Sequence, residues 1–437
     1  LSHQFALLRQ RRFLPFFLTQ FLGAFNDNVY KNALVVLLTF HAARYTTLAP
    51  GVLVNLCAGL FILPFFLFSA TAGQIADKFE KSRLIRLTKL LEIAVMALAT
   101  AAFALESLTP MLLCLFLMGA QSALFGPVKY AILPQHLRED ELVGGNALVE
   151  SGTFVAILAG TLTGGVLIAL PQGMAWVSAV VITLAVLGYA ASRHIPAAAP
   201  AAPGLRINWN PLTETWRNFR FTRGNRTVFL SIVGVSWFWF YGAVFLSQFP
   251  AYAKDTLGGD EHAVVLLLAL FSIGIGIGSL LCERLSRGRI ELGLVPFGSI
   301  GLSLFAFDLW WSSPAPGAAA AALTIGEVLA RGESWRALAD LVAIGMFGGF
   351  YIVPLYALIQ RRSEPAHRSR VIAGNNILNA FFMVIAAAMG AGLLAAGASV
   401  PQLFLVTALL NLALAAYLFS QVPEFVQRFA AWLRGRR

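Results

Sequence analysis

Four ionisable residues stand inside long apolar stretches: Asp27, Lys31, Lys129 and Glu150. At mid-membrane each such charge costs about 2.5–3.5 kcal/mol on insertion scales, so it is kept mainly where it pairs or works. Gln20, Gly23, Asp27 and Lys31 fall at i, i+3, i+7 and i+11 and share one helical face. Asp27 and Lys31 are one turn apart and spaced to pair. Lys129, near one end of its run, and Glu150, at similar depth in the next, are expected to meet. The four charges sum to zero. That balance suits a zwitterionic ligand, with Lys129 on a phosphate and Glu150 or Asp27 on an ammonium. It equally suits self-neutralising pairs that only hold helices together. Asn28, Asn146, Asn375, Asn376 and Asn379 add neutral hydrogen-bonding capacity, either for a substrate or as glue between helices.

The elements that must position these residues are membrane helices. Of 437 residues, 58% are hydrophobic and 12% charged, the latter about half the ~25% usual in soluble domains. Apolar runs of spanning length fall at about 13–39, 52–76, 84–105, 109–134, 142–170, 173–192, 227–253, 262–282, 292–311, 337–360, 369–397 and 401–422. The fold class is therefore all-α and polytopic, with twelve spans. A Pro- and Ala-rich break with a polar stretch, 194–225, divides residues 1–193 from 226–423. Residues 424–437 form a tail with apolar residues at helical spacing and arginines opposite, suited to an anionic leaflet.

The net charge of +11 would suggest nucleic acid in a soluble protein. Here it is a matter of sidedness. Of the 32 Lys and Arg, 26 fall in one alternating set of connections and tails, four in the other, and two (Lys31 and Lys129) within spans. The positive-inside rule then places both termini in the cytoplasm, and twelve spans exclude a soluble nucleic-acid binder. Cys57, Cys114 and Cys282 are far apart in apolar runs and form neither a disulfide framework nor a metal spacing. No cofactor is implied. The chain has no Gly-Lys dipeptide and hence no P-loop. None of its six histidines is followed at the fifth position by the Asp of an acyltransferase, since His136 has Glu141 there. It reads as no enzyme.

Three short segments recur in order between the halves: Gly73-Gln-Ile-Ala-Asp77-Lys78-Phe-Glu-Lys81 with Gly278-Ser-Leu-Leu-Cys-Glu283-Arg284, Tyr130-Ala-Ile-Leu with Tyr356-Ala-Leu-Ile, and Gly145-Asn146-Ala-Leu-Val-Glu150 with Gly374-Asn375-Asn-Ile-Leu-Asn379. Such echoes indicate two related six-helix bundles. The first segment resembles the loop motif of the major facilitator superfamily. More narrowly, Gly23-Ala-Phe-Asn-Asp27-Asn28, Phe125-Gly-Pro-Val-Lys129-Tyr-Ala-Ile-Leu-Pro134, Gly144-Gly-Asn-Ala-Leu-Val-Glu150 and Pro354-Leu-Tyr-Ala-Leu-Ile-Gln360 resemble the bacterial lysophospholipid transporters. Among these the chain looks closest to members fused to a phospholipid acyltransferase and an acyl–acyl carrier protein synthetase, so the polypeptide is expected to extend beyond Arg437.

The resemblance implies that spans one, four, seven and ten line a central cavity, and that Asp77, Lys78, Lys81 and Arg83, with Glu283 and Arg284 in the second copy, gate the bundles. It places spans three and nine outside the cavity, which gives Glu92 and Asp308 structural roles. It also implies the inner membrane as location, a lysophospholipid such as lysophosphatidylethanolamine as substrate among membrane lipids, a fused or separate acyltransferase as partner, and a monomeric transport unit. Unfused members carry an Arg and a Glu in span seven; here Leu230–Tyr252 has neither, and Gln248 is its only amide. A headgroup site built mainly from the first half is expected. The aromatic run Trp237-Phe-Trp239-Phe-Tyr241 lines an apolar groove or faces lipid. Two rival readings stay open: a proton-driven exporter of amphipathic compounds with Asp27 as proton carrier, and a membrane anchor and channelling domain for a fused acyltransferase.

Overall fold

The computed structural model describes residues 3–313 and 323–435. Among these, twelve helices of 19 to 31 residues follow the twelve apolar runs: α1 (Leu14–His41), α2 (Pro50–Lys78), α3 (Lys81–Ala104), α4 (Leu108–Ala131), α5 (Leu142–Ala169), α6 (Gly173–Ser192), α7 (Arg226–Ala251), α8 (Glu261–Ser286), α9 (Leu294–Ser312), α10 (Gly332–Arg362), α11 (Arg368–Ala395) and α12 (Val400–Gln421). A bilayer offers no water to backbone N–H and C=O groups, so an apolar run must satisfy them within itself, as a helix does. Eleven of the twelve are long and apolar enough to cross a membrane. The exception is α1, whose Gln20, Asn26, Asp27, Asn28, Lys31 and Asn32 lower its apolar content.

Helix ends are set by local polar side chains. Glu80 begins α3 by accepting from the N–H groups of Ser82 and Arg83, 2.8 Å each. Asp260 does the same for α8, and a capping box of Ser399 and Gln402 starts α12.

The chain groups into two compact units. One comprises Leu1–Glu139, Val155–Asn225 and Gln360–Ala380; the other comprises Asp140–Phe154, Arg226–Ile359 and Phe381–Arg437. They are not the two sequence halves, because a stretch of each half belongs with the other.

In the first unit α2 runs along α4, and α6 packs on α1 and α3. The core gathers Val29, Tyr30, Leu34, Met96 and Val181, with Cys57 and Cys114 buried as free thiols. The Tyr30 hydroxyl donates to the Met111 carbonyl at 2.9 Å. The inter-half segment is fastened rather than slack. Glu80 accepts from the Ala198 N–H at 2.7 Å, and the Lys81 N–H donates back to the Ala198 carbonyl at 3.1 Å. Gln74 exchanges two hydrogen bonds with the backbone of Asn208, 2.8 and 2.7 Å. A helix over Pro211–Gly224, capped by Asn210, follows.

In the second unit α8 and α10 meet at glycines: a Cβ on Gly278 would collide with the Met346 carbonyl, and one on Gly345 with that of Phe271. Small residues let helix backbones approach in lipid, where packing rather than hydrophobic burial drives association. The aromatic run of α7 is core. Trp237 donates to Asn411 at 2.7 Å and Tyr241 to the Leu302 carbonyl at 2.8 Å, while Phe238 meets Phe154 edge-on. Between α9 and α10 a short helix over Ile325–Ala330 precedes the start of α10, and residues 314–322 lie outside the described residues. The tail helix Glu424–Leu433 lays one face on the unit, with Phe425 buried, Arg428 bonded to Glu291 at 3.2 and 2.6 Å, and Trp432 against Phe297.

Burial works to raise the Glu80 carboxyl, but donors from Ala198, Ser82 and Arg83 outweigh it and hold the group below its ordinary value. A carboxyl lowered on folding contributes stability that is present at neutral pH and lost as pH falls through the lowered value. Glu80→Ala is expected to cost about 1 kcal/mol for the lost cap, to speed tryptic cleavage after the exposed Arg206 several-fold, and to flatten the acid limb of thermal stability in detergent. An unchanged cleavage rate would show that the linker is held by other contacts.

Candidate functional site

The site is built from α1, α3 and α4 of the first unit. Asp27 of α1 accepts a hydrogen bond from the Ser122 hydroxyl of α4 at 2.7 Å. Lys31, spaced to pair with Asp27, forms no ion pair with it. Its ammonium stands over the ring of Phe61 on α2, 5.2 Å from the centroid. The two side chains leave α1 toward different neighbours, so a shared helical face did not make them partners. Gln20, on the same face, is buried.

Directly behind this pair lies a buried polar cluster. Glu92 and Lys89 of α3 form an ion pair at 2.5 Å, with side chains 2% and 1% exposed. One Glu92 oxygen accepts from the Asn26 amide at 2.8 Å, and the other accepts from Gln121 at 3.2 Å. Asn26 and Gln121 are the residues that immediately precede Asp27 and Ser122. Glu92 therefore ties together the two helices that present the Asp27–Ser122 pair. Gly23 belongs to the same arrangement: a Cβ there would collide with the Lys89 ammonium. Sequence reasoning counted Lys89 among loop cations and set Glu92 apart from the site. The structure corrects the first, because α3 begins at Lys81 and carries Lys89 inside its apolar length beside Glu92.

The other candidates fall in several places. Asn28 bonds the Ala24 carbonyl of its own helix at 2.8 Å and packs against Gly160 of α5. It faces a helix interface in this structure. Lys129 is half-buried, with its ammonium 5.1 Å from the ring centroid of Tyr130. Asn375, Asn376 and Asn379 of α11 are buried in the first unit; Asn376 lies against Gly126 of α4, and the Asn375 amide has no hydrogen-bond partner among the described residues. Gln360 donates to the Tyr130 carbonyl at 3.2 Å. Asn146 and Glu150 are buried in the second unit, and Asn146 donates to the Leu142 carbonyl of its own helix at 2.9 Å. Asp308 is held by Arg336 in the second unit.

The loop motif makes the firmest contact. Asp77, fully buried, accepts from the N–H of Ser369 at 3.0 Å, from that of Arg370 at 3.4 Å, and from Arg370 Nε at 3.1 Å. The first N–H groups of a helix lack intrahelical partners and carry its positive dipole end. Asp77 thus caps α11 from a distant part of the chain. Gly73 lets α11 close in, since a Cβ there would meet Arg370 Cα at 2.9 Å. Lys81 is buried within electrostatic reach of Asp77 and Arg368. Lys78 is half-buried above Phe79. Arg83 is exposed, as is Arg284 in the second copy, where Glu283 is buried.

Eleven apolar helices of spanning length and a loop motif that caps α11 from a distant part of the chain accompany a buried charge cluster in the first unit. Residues 16–332 match the Major Facilitator Superfamily. The chain belongs to that superfamily. Lysophospholipid transporter LplT of Escherichia coli O157:H7 (strain EC4115 / EHEC) is 30% identical over 372 residues, covering 82% of this chain and 81% of the relative. LplT of Escherichia coli O1:K1 / APEC is 30% identical over 366 residues with the same coverage. Within the superfamily this is the lysophospholipid transporter family, a family of transporters and not of enzymes. The fold is shared with the human organic anion transporter MFSD10 (TM-score 0.74, 14% identity, 93% of this chain and 99% of that one) and with FucP in the outward conformation (TM-score 0.70, 12% identity, 94% and 99%).

Sequence reasoning missed Ser122, Asn26 and Gln121. Two signals pointed to them: Lys89 and Glu92 are spaced at i, i+3 in a span, and amides immediately precede Asp27 and Ser122. Removing one member of a buried ion pair leaves an uncompensated charge and costs about 3–5 kcal/mol, whereas apolar replacement of both is often neutral. Lys89→Met or Glu92→Leu alone is expected to lower detergent thermal stability sharply. The double variant is expected to recover stability without recovering transport, because the donors of Asn26 and Gln121 lose their common acceptor. Recovery of both would show that the cluster only holds the fold.

Proposed function

We propose that this protein carries lysophospholipids, such as lysophosphatidylethanolamine, from the outer to the inner leaflet of a bacterial inner membrane, where an acyltransferase reacylates them. The relation to LplT over 82% of the chain carries this reading. The chemistry supports it. A lysophospholipid already lies in the bilayer, its chain gaining roughly 0.8 kcal/mol per buried CH₂. The barrier to changing leaflet is the polar headgroup. Asp27 with Ser122, and Lys31 and Lys129 each above an aromatic ring, supply polar groups along otherwise apolar helices. A carboxylate suits the ammonium of the headgroup and a lysine its phosphate. Asn375, Asn379, Asn146, Glu150 and Gln20 complete the proposed polar path.

Transport proceeds by alternating access, with rocking of two six-helix halves at residues 1–193 and 226–423 joined through 194–225. Asp77, capping α11, is the contact that must release in that motion. Both termini are cytoplasmic in this scheme; a terminal reporter active only outside the cell, if it gave signal, would reverse the orientation. In proteoliposomes of the purified chain, Asp27→Asn and Lys129→Ala are expected to abolish inward movement of labelled lysophosphatidylethanolamine. Wild-type rates in both variants would overturn the assigned roles. Transport driven by an imposed pH gradient would favour the proton-coupled exporter instead.

A further inference from the structure

The first unit holds a cavity of about 610 Å³ away from Asp27, at the end formed by the turns α1–α2, α3–α4 and α5–α6. Its inner wall is apolar, with Phe103, Ile168 and Met174. Its mouth is polar: Arg44 and Glu106 form an ion pair there, and Gln172 sits beside them. Concave apolar sites with a few convergent polar groups are the usual form of a ligand pocket.

Two further observations converge on the same mouth. Arg44 and Glu106 are 57% and 42% exposed, and an ion pair so exposed is worth about 0–1 kcal/mol, so a ligand with its own two charges can open it at little cost. Gln172 begins α6 without using its side chain as a cap, and the first turn of α6, Gly173 to Ala175, lines the cavity. A helix N-terminus favours an anion.

We propose that this cavity is a second lipid site, which takes the headgroup and upper chain of a zwitterionic single-chain phospholipid from the leaflet at that end and delivers it to the transport path. Arg44 and the α6 N-terminus take the phosphate, Glu106 takes the ammonium, and the apolar wall takes the first carbons of the chain. One ion pair is exchanged for two, with no net charge introduced. Exposed Phe40, Leu105 and Trp176 around these turns place the mouth at the depth of a membrane interface, where aromatic side chains concentrate. The choice of a single-chain occupant rests on the transport reading above.

The test uses lysophosphatidylethanolamine bearing a diazirine on the upper acyl chain, photolysed with the full chain in proteoliposomes, with adducts mapped by mass spectrometry. Adducts on 168–178 or 100–106 are expected, reduced at least about five-fold in Arg44→Ala and in Glu106→Gln. In those variants the half-saturating substrate concentration is expected to rise several-fold while the maximal rate holds. A probe with a phosphoglycerol head, which lacks the ammonium, is expected to label weakly. Absence of adducts at these segments, with transport intact, overturns the site and leaves the transport reading standing. Equal labelling by a two-chain phosphatidylethanolamine probe overturns the single-chain occupant. Specific adducts without any transport would uphold the site and sink the transport reading.

Discussion

Much of the first unit depends on one carboxylate. Glu92 would be untenable among apolar helices on its own, since an isolated ion in a low-dielectric interior costs several kcal/mol even after relaxation. Lys89, one turn earlier, neutralises it, and Asn26 and Gln121 donate one further hydrogen bond to each of its two oxygens. Because these donors come from α1, α3 and α4, the electrostatic need of one group fixes three helices. That constraint also accounts for Gly23, which makes room for the ammonium of Lys89. It places Asp27 and Ser122 at hydrogen-bonding distance as a consequence, since each is the next residue after a Glu92 donor.

Asp77 solves a related problem in another way. It has no lysine at ion-pair distance; its partners are the free N–H groups at the start of α11 and the guanidinium of Arg370. Charge-assisted bonds of this kind are strong yet easily re-made with other donors. The contact joins residue 77 to residues 369 and 370, so it holds a piece of the second sequence half within the first unit. Glu80, three residues on, fastens the inter-half segment to the same loop. A single loop thus anchors both the linker and a helix from the far half, which suits a motif that governs movement between halves.

The helices were legible in the sequence because spanning length and apolarity are local properties. Even the helix that fails the apolarity test was informative, as α1 fails by carrying the polar residues of the site. What could not be read was partner choice. Asp27 and Lys31 share a face at i, i+4, and spacing alone made them a pair; Ser122 and Phe61, from other helices, took them instead. Lys89 was counted with the basic residues of the preceding connection although it lies inside the run 84–105, because its partner Glu92 and the donors from α1 and α4 are not visible in the sequence. Asn28 follows Asp27 in sequence but points about 100° away around the helix, toward Gly160 of α5. The aromatic run of α7 gave no directional signal, being apolar on every side, and only packing against Phe154, Asn411 and Leu302 settles it as core.

The polar contacts of the first unit are graded by how readily they can be exchanged. Lys89–Glu92 is sealed, and opening it would strand two charges among apolar side chains. Asp27–Ser122 joins a half-buried carboxylate to a neutral hydroxyl, so an incoming ammonium can replace the hydroxyl without leaving a charge behind. Arg44–Glu106 is open to its surroundings and is the easiest to part. A transporter needs this order. A group that only positions others must keep its partner, whereas a group that meets a passing zwitterion must surrender its partner at low cost and recover it afterwards. The proposal that Asp27 meets the substrate while Glu92 serves the scaffold rests on that difference in their partners, even though their side chains occupy neighbouring positions in the same unit.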